Sequence, residues 1–565
     1  MNTEILGVIL MFGLTVALAM PLGKYIAKVY AGEKSLLDFF TPVENFFFRI
    51  SGIDAKREMN WKESLVALLT INLVWFLFAM FILMSQGWLP FNPDHNPSMS
   101  PDLAFNTAIS FLVNCNLQDY SGETGATYLS QLVCLMFLQF VSAATGLAAA
   151  AVFFNALKQR TTDKLGNFYN YFIKSLTRIL LPLSVVVAII FMLNGMPMTF
   201  KGKATITSMQ GDTVHVSRGP VAAFVPIKHL GTNGGGWFGA NSAHPFENPN
   251  YFTNIIEMIA QFIIPLSMIF ALGFYLKRRK LAWMIFGVMT VGFLCLTVPT
   301  IIMEQHGNPA IAKMGVDMHA GAMEGKEVRF GTPASAYWSI LTTVISTGSV
   351  NSMHDSFMPL SGMNQMLAMM VNAFYGGCGV GLLNFYIFII IAVFISGLMV
   401  GRTPEFLGKK IEAREMKIAV IVTLLSALLI KGGTAFACYL YANYPHYLAG
   451  WLNNPGFHGF SEMLYQYTSS NANNGSGFEG LGDNTPWWNI SAGIVLILSR
   501  YIPIIGPVAI AGILAGKKYI PESAGTLKTD TVTFGVMIFA VIFIVTALSY
   551  FPALVLGPIA EFFSM

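Results

Sequence analysis

The chain has 565 residues, of which 54% are hydrophobic and only 11% are charged. Soluble globular domains carry roughly 25% charged residues, so this composition excludes a soluble protein. An all-α polytopic membrane protein is the predicted fold class, because only helices satisfy their backbone hydrogen bonds within one membrane-spanning segment.

Ten apolar runs are long enough to cross a bilayer, since about 20 apolar residues span the hydrocarbon. The first run has no basic segment before it, so it is predicted to be a membrane helix and not a cleaved signal peptide. An even number of spans places both termini on one side. The predicted transmembrane helices are 5–27, 65–85, 129–156, 171–193, 254–276, 282–302, 364–400, 417–441, 488–513 and 533–555.

Lysine and arginine are distributed unevenly between the two sets of connections. Of the 33 basic residues, about 23 lie on one side and about 7 on the other, which marks the richer side as cytoplasmic. The first connection, 28–64, is on that basic side, so both termini are predicted to be extracytoplasmic. The opposite connections at 86–128 and 442–487 contain acidic residues but no lysine or arginine, which favours cations at the outer face.

Spans two to nine form four pairs, and the outer connection of each pair has a common design. A semi-apolar stretch of roughly ten residues, about 15 Å as a helix, precedes a cluster of Gly, Asn, Ser or Thr. Half a bilayer of helix is typical of a re-entrant pore helix. We therefore predict four helix–pore loop–helix repeats around a pseudo-fourfold pore. The predicted pore helices are 103–113, 220–229, 334–345 and 461–469.

These repeats divide the chain into six predicted segments. An N-terminal helix with its cytoplasmic loop occupies 1–64, and a C-terminal helix occupies 517–565. The four pore repeats between them are 65–156, 157–276, 277–400 and 401–516.

The clusters that follow the pore helices are the candidate ion filter. They are Val113–Asn116, Gly231–Gly236, Ser346–Ser349 and Asn471–Ser476, and none of them contains Asp or Glu. Inward-directed pore helices present partially negative C-terminal ends to a cation. Neutral carbonyl and side-chain oxygens suit a monovalent ion better than a divalent one, which usually recruits carboxylates. Potassium is the predicted transported ion, and no organic cofactor is expected.

Three further features lie inside predicted spans. Gly376–Gly381 interrupts a run that is too long for one straight crossing, and we interpret it as a flexible barrier beneath the filter, with close helix packing as the alternative. Arg500 follows the fourth cluster by about one helix length, where a fixed cation can stop ions from running through. Lys431 has either a functional role or a place in a structural ion pair.

The sequence resembles the KdpA family of potassium-translocating subunits, within the superfamily that includes the Trk, Ktr and HKT proteins. The resemblance rests on Gly231–Pro249, Asn351–Ser356, Ile395–Lys410 and Asn473–Phe478, and it extends over essentially the whole chain. It implies potassium-filter positions in every loop, namely Asn114, Asn116, Thr232, Gly234, Ser346, Gly348, Asn473 and Gly475.

The same resemblance matches residues around the filter. Gln118 corresponds to a glutamine just beyond the first filter loop, and Arg500 to the basic residue below the filter. Gly377 and Gly379 lie in the stretch that matches the family's intramembrane gating loop. The first loop has Asn-Cys-Asn-Leu where the family usually has Asn-Thr-Asn-Trp, and it lacks the glycine of the other three loops, so its ligands stay open.

The resemblance implies a potassium-importing pump in a bacterial inner membrane. Its partners would be a KdpB-like P-type ATPase catalytic subunit, small single-span subunits of the KdpC and KdpF type, and membrane lipid, without nucleic acid. The chain has no Asp-Lys-Thr-Gly-Thr phosphorylation motif, and Gly512–Lys518 lacks the spacing of a P-loop. ATP hydrolysis is therefore expected in the partner, with no catalytic residue in this chain.

Two alternatives remain at this stage. One is a stand-alone Trk- or Ktr-like potassium transporter or channel. The other is a membrane enzyme, prompted by His244, Glu247, His354 and Asp355. No spacing among these four residues matches a zinc or nucleophile signature, so they are expected to brace the filter backbone.

Overall fold

The computed structural model describes residues 3–399, 401, 403–444, 448, 450–521 and 527–565. Ten helices in this part of the chain are long and apolar enough to cross a membrane, as predicted. These spans are α1 (Thr3–Ala31), α3 (Trp61–Ser85), α5 (Ser130–Lys158), α6 (Phe168–Leu193), α8 (Tyr251–Tyr275), α9 (Arg279–His306), α12 (Val380–Met399), α13 (Ala413–Asn443), α15 (Pro486–Gly516) and α16 (Val532–Leu554). The other principal helices are α2 (Thr41–Ile50), α4 (Pro101–Leu112), α7 (Val221–Leu230), α10 (Gly331–Val344), α11 (Pro359–Val371) and α14 (Phe457–Ala472).

The four predicted pore helices are present as α4, α7, α10 and α14. Each follows a connection on the side predicted to be extracytoplasmic, hereafter the outer side, and each leads directly into one of the polar clusters. Most of their residues are buried, although they are too short to span a bilayer. Their burial among the spans is what permits irregular backbone to follow them inside the membrane.

The predicted seventh span, 364–400, consists of two helices and a break. α11 ends where Asn372 adopts a left-handed conformation with φ +43°, and α12 begins only at Val380. Between them Gly376 and Gly379 have φ +64° and +78°, values that side chains disfavour. The helix therefore breaks inside the apolar run, as the glycine density predicts. The predicted end of this span, residue 400, lies outside the described residues.

Short elements lie at the two membrane surfaces. On the outer side β1 (Ala204–Thr207) pairs antiparallel with β2 (Thr213–Val216). On the opposite side, predicted to be cytoplasmic, β3 (Glu405–Phe406) pairs with β4 (Lys409–Lys410). The remaining short helical turns are Asp38–Phe40, Gln86–Trp88, Gly122–Gly125, Asn241–Ala243, Pro309–Lys313, His354–Ser356, Val555–Ile559 and Ala560–Ser564.

Candidate ion filter and the barrier beneath it

The four polar clusters, hereafter loops 1 to 4 in chain order, repeat one backbone pattern. In each loop two residues with positive φ flank one residue whose φ is not positive. When residues with positive and negative φ alternate, successive peptide groups point the same way. Their N–H groups then lie on one side of the loop and their carbonyls on the other. The positive-φ residues are Asn114 (66°), Asn116 (61°), Thr232 (52°), Gly234 (91°), Ser346 (53°), Gly348 (83°), Asn473 (51°) and Gly475 (105°). These are the eight positions that the resemblance implies.

The N–H groups of the loops are directed back to the pore helices. Asn116 N donates to Ser110 O at 3.0 Å, and Gly234 N donates to Lys228 O at 3.1 Å. Thr347 and Asn474 do the same to carbonyls of the last turns of α10 and α14. These bonds satisfy helix-end carbonyls that would otherwise have no partner. The alternating backbone turns the loop carbonyls to the opposite side, where those of Thr232 and Gly234 also accept from the Asn114 and Asn241 amides.

The loops touch one another in a closed ring. A Cβ on Gly234 would lie 1.9 Å from the Thr347 carbonyl oxygen of loop 3, and one on Gly348 would lie 2.1 Å from the Asn474 oxygen of loop 4. A Cβ on Gly475 would lie 2.1 Å from the Cys115 oxygen of loop 1. Real Cβ atoms do not approach so closely, so the backbone of loops 2, 3 and 4 requires glycine at this position.

Loop 1 closes the ring with a different residue pair. Its Asn116 has a side chain at the position that is glycine in the other loops. The neighbouring loop 2 provides the space, because a Cβ on Gly235 would lie 2.8 Å from the existing Asn116 Cβ. The missing glycine of loop 1 is therefore compensated by an additional glycine in loop 2.

Side-chain amides join loops 1 and 2. The Asn114 amide nitrogen donates to the Thr232 carbonyl at 2.9 Å, and its oxygen accepts from Ser142 at 2.9 Å and from Asn233 at 2.6 Å. Gln118 Nε2 donates to the Gly236 carbonyl, while its Oε1 accepts from Gly236 N at 2.8 Å. Asn114 and Gln118 thus hold the two loops together through their side chains.

A buried charge network supports loop 2 from behind. Lys228 Nζ lies 2.5 Å from Glu247 Oε2, and Glu247 Oε1 accepts from Phe238 N at 2.8 Å. Glu257 lies 2.9 Å from His229 Nε2 and accepts from Ser242 at 2.7 Å. All of these side chains are buried. From the sequence, Glu247 was expected to brace the filter backbone, whereas Lys228, His229 and Glu257 were not predicted. The signal that could have indicated them is a lysine inside a semi-apolar pore helix.

Two other residues of the enzyme hypothesis, His244 and His354, also make contacts near the filter loops. The His244 ring stacks on Phe238 with centroids 3.8 Å apart. His354 Nδ1 lies 2.9 Å from the Tyr465 hydroxyl, which in turn lies 2.8 Å from the Ser476 hydroxyl of loop 4. These contacts support filter loops and do not assemble a nucleophile with a base.

The break between α11 and α12 lies against the inner side of loop 2. Cys378 N donates to Thr232 Oγ1 at 2.9 Å, and Cys378 Sγ contacts the Leu230 carbonyl at 3.3 Å. A Cβ on Gly377 would lie 3.3 Å from the same Thr232 hydroxyl, and one on Gly379 would lie 2.4 Å from the Gly146 carbonyl of α5. Glycine is therefore required at Gly379, where the break packs against α5, and a side chain at Gly377 would crowd the Thr232 hydroxyl.

Arg500 lies next to this break. Its Nη2 donates to the Ser142 carbonyl at 3.4 Å and would be 3.4 Å from a Cβ on Gly146. The side chain is 4% exposed, and no ion pair to it occurs in the described part of the chain. A buried guanidinium without a carboxylate is a strong local positive charge. Lys431, by contrast, is exposed on α13, and it too has no ion pair among the described residues.

A small cavity of about 50 Å³ lies between α12, α13, α15 and α16, beside the ends of α11 and α14. Asn372, which lines it, accepts from the Ser346 hydroxyl of loop 3 at 2.9 Å and donates to the Ala472 carbonyl of loop 4. Its other polar lining residues include Asn384, Asn471 and Ser499. The cavity therefore adjoins the inner side of loops 3 and 4.

Comparison with a solved structure agrees with this architecture. The potassium transporter TrkH from Vibrio parahaemolyticus is 16% identical in sequence and superposes with a TM-score of 0.51, covering 89% of this chain and 98% of that one. At this identity the similarity establishes the fold alone.

Sequence comparison identifies the family. The model of the family described as "KdpA: Potassium-transporting ATPase A subunit" matches residues 9–563. Proteins named potassium-transporting ATPase potassium-binding subunit are 70% identical in Flavobacterium johnsoniae and 61% identical in Phocaeicola vulgatus, over 100% of both chains. The protein of that name from Geobacillus kaustophilus is 47% identical over 98% of both chains. With its ring of four pore loops and a family match over nearly its whole length, this chain belongs to the KdpA family.

Proposed function

We propose that this chain binds extracytoplasmic potassium in the ring of loops 1 to 4 and passes it on for ATP-driven import, as the channel-like subunit of a P-type potassium pump. The observation that carries the proposal is the closed ring of eight positive-φ positions. Carbonyls from four loops, with no Asp or Glu among them, replace the hydration shell of a monovalent ion.

The ion is taken from the filter to a partner and does not run straight through. Arg500 and the break at Gly377–Gly379 lie on the inner side of the ring, where a buried positive charge opposes a passing cation. The cavity beside loops 3 and 4 offers side-chain oxygens from Asn372, Asn384 and Ser499 and lies between spans. We infer that potassium leaves sideways through this region.

The family description and the names of the relatives support an ATPase partner. The expected partners are a KdpB-like catalytic subunit and the small KdpC-like and KdpF-like subunits, in a bacterial inner membrane. The basic connections lie on the cytoplasmic side, so both termini are extracytoplasmic.

Two glycines, Gly475 in loop 4 and Gly477 just after it, provide a test of the filter. Gly475→Ala places a Cβ 2.1 Å from the Cys115 oxygen at a residue with φ +105°, whereas Gly477→Ala meets no atom within 4 Å. In the assembled complex, Gly475→Ala should raise the potassium concentration for half-maximal ATP hydrolysis by at least about 10-fold, the effect of roughly 1.4 kcal/mol. Gly477→Ala should match the unmodified complex.

The same measurement separates the alternatives. Equal potassium dependence in both variants would remove loop 4 from the filter. If the chain alone carried potassium into liposomes without a partner or ATP, the result would favour a stand-alone transporter over a pump subunit.

A further inference from the structure

A cluster of titratable side chains on the outer side has no role in the filter. Asp355 follows loop 3, and His458 and Glu462 lie four residues apart on one face of α14. One potential metal-binding atom from each of these residues lies within 4.8 Å of the others. Asp355 and His458 also line a cavity of about 510 Å³ that is open to solvent.

The His458 ring is held in a fixed orientation. Its Nδ1 lies 2.8 Å from Glu561 Oε1 in the terminal helical turn, and its Nε2 lies 2.9 Å from Asp355 Oδ1. The Phe478 ring stacks on it at an interplanar angle of 9°. Histidines that bind metals typically donate their second ring N–H to a carboxylate, which fixes the ring and directs the other nitrogen at the metal. Glu561 is in the position of that carboxylate.

Glu462 provides an independent indication that a cation binds at this cluster. Its side chain is completely buried, and its Oε1 accepts from Asn454 Nδ2 at 3.0 Å. Its Oε2 has no hydrogen-bond partner among the described residues. A buried carboxylate oxygen without a partner is costly, and a cation beside Asp355 would remove that cost.

The charge of the cavity agrees with a cation. Asp317, Glu324 and Glu561 line it together with Asp355 and His458, and no lysine or arginine is among its lining residues in the described chain. A divalent ion that entered from outside would meet a negative surface before it reached the cluster.

We propose that Asp355, His458 and Glu462 bind a divalent transition-metal ion of the zinc class. Zinc is bound in proteins by His nitrogens and by Asp or Glu oxygens, and sites with three protein ligands keep a fourth position for water. Two ligand atoms on tetrahedral zinc are roughly 3.3 Å apart for bonds of about 2.0 Å, a few tenths of an ångström more than the His458–Asp355 separation. The ion replaces the proton shared by these two residues.

Metal binding at this place would join three parts of the chain. Asp355 belongs to the exit of loop 3, His458 and Glu462 to the pore helix before loop 4, and Glu561 to the C-terminal turn. The site thus fastens the outer ends of two filter repeats to the end of the chain, without contributing a ligand to potassium.

The test uses the purified complex, stripped with a chelator and equilibrated with Zn²⁺ at micromolar concentration. The unmodified complex should retain about one zinc ion more than the variant Asp355→Asn/Glu462→Gln. Co²⁺ in place of Zn²⁺ should give the visible absorption bands of a tetrahedral nitrogen and oxygen site. His215→Gln, which removes an exposed outer histidine on β2, is the matched control and should retain the metal.

Equal zinc content in the unmodified complex and the double variant would overturn the proposal. If the double variant does not assemble, the cobalt spectrum of the unmodified complex is the test. The absence of tetrahedral bands in that spectrum would also overturn the proposed metal site. Potassium-dependent ATP hydrolysis, measured in parallel, reports on the filter, so failure of the metal site is distinguishable from failure of the proposed function.

Discussion

Two acidic residues of the outer connections, Asp119 and Asp483, interact with each other. Asp119 lies in the connection 86–128 and is only 4% exposed. Its carboxyl accepts from Asn106 at 2.7 Å and shares a hydrogen bond with Asp483. Burial and the neighbouring acid raise the pKa of Asp119 well above its usual range, and burial raises the pKa of Asp483 to about 6. The two carboxyls are therefore expected to hold one proton in common.

This pair gives a prediction for pH dependence. A carboxyl whose pKa is raised by folding stabilises the protein below its unfolded pKa of about 4, and that contribution is lost as pH rises through the folded value. Asp483→Asn should therefore stabilise the complex at pH 8 by on the order of 1 kcal/mol or more, and by clearly less at pH 4.5. Thermal unfolding at both pH values measures this. The control Asp212→Asn, on the exposed hairpin, should not change the thermal stability at either pH. If Asp483→Asn stabilised the complex equally at both pH values, the two carboxyls would not share a proton.

At the scale of elements, loop 2 depends on the buried pair Lys228–Glu247. Lys228→Met leaves the Glu247 carboxylate buried and unpaired, which typically costs about 3–5 kcal/mol. We expect lower thermal stability of the complex and a higher potassium concentration for half-maximal ATP hydrolysis. Lys228→Met/Glu247→Gln removes the isolated charge while Gln can still accept from Phe238 N, so it should recover much of the stability. A single variant that behaves like the unmodified complex would show that the pair does not support the filter.

The elements could be predicted to different degrees from the sequence. The ten spans and four pore helices were predictable because membrane thickness fixes their length and apolarity. The break in span seven was predictable from Gly376–Gly381, but its upper half, α11, begins at Pro359, ahead of the apolar run. Contacts between residues of different loops were not predictable, because they depend on which loops become neighbours in the fold. Nothing in the sequence shows that Gly235 provides the space for Asn116, or that Lys228 pairs with Glu247.

At the scale of the whole molecule, Arg500 separates a pump subunit from a simple conduit. At an effective dielectric of about 20, two unit charges roughly 6 Å apart repel by about 3 kcal/mol, a factor on the order of 100 in rate. Arg500→Met should therefore let potassium leak and lower the number of ions imported per ATP, with ion preference largely unchanged. Arg500→Lys keeps the positive charge, so ATP hydrolysis should stay coupled to potassium import in this variant. ATP hydrolysis and potassium uptake measured in the same vesicles give the ratio, and an unchanged ratio in Arg500→Met would argue against a barrier.

If four loops of one chain form a single potassium site, as we propose, the site can be located by the anomalous scattering of Tl⁺, a heavy substitute for K⁺, in crystals of the assembled complex. We expect a Tl⁺ peak inside the ring, in contact with carbonyls from loops 1 to 4, that weakens in Gly475→Ala and persists in Gly477→Ala. A ring without a peak, or a peak unaffected by Gly475→Ala, would show that the four loops do not form the potassium site.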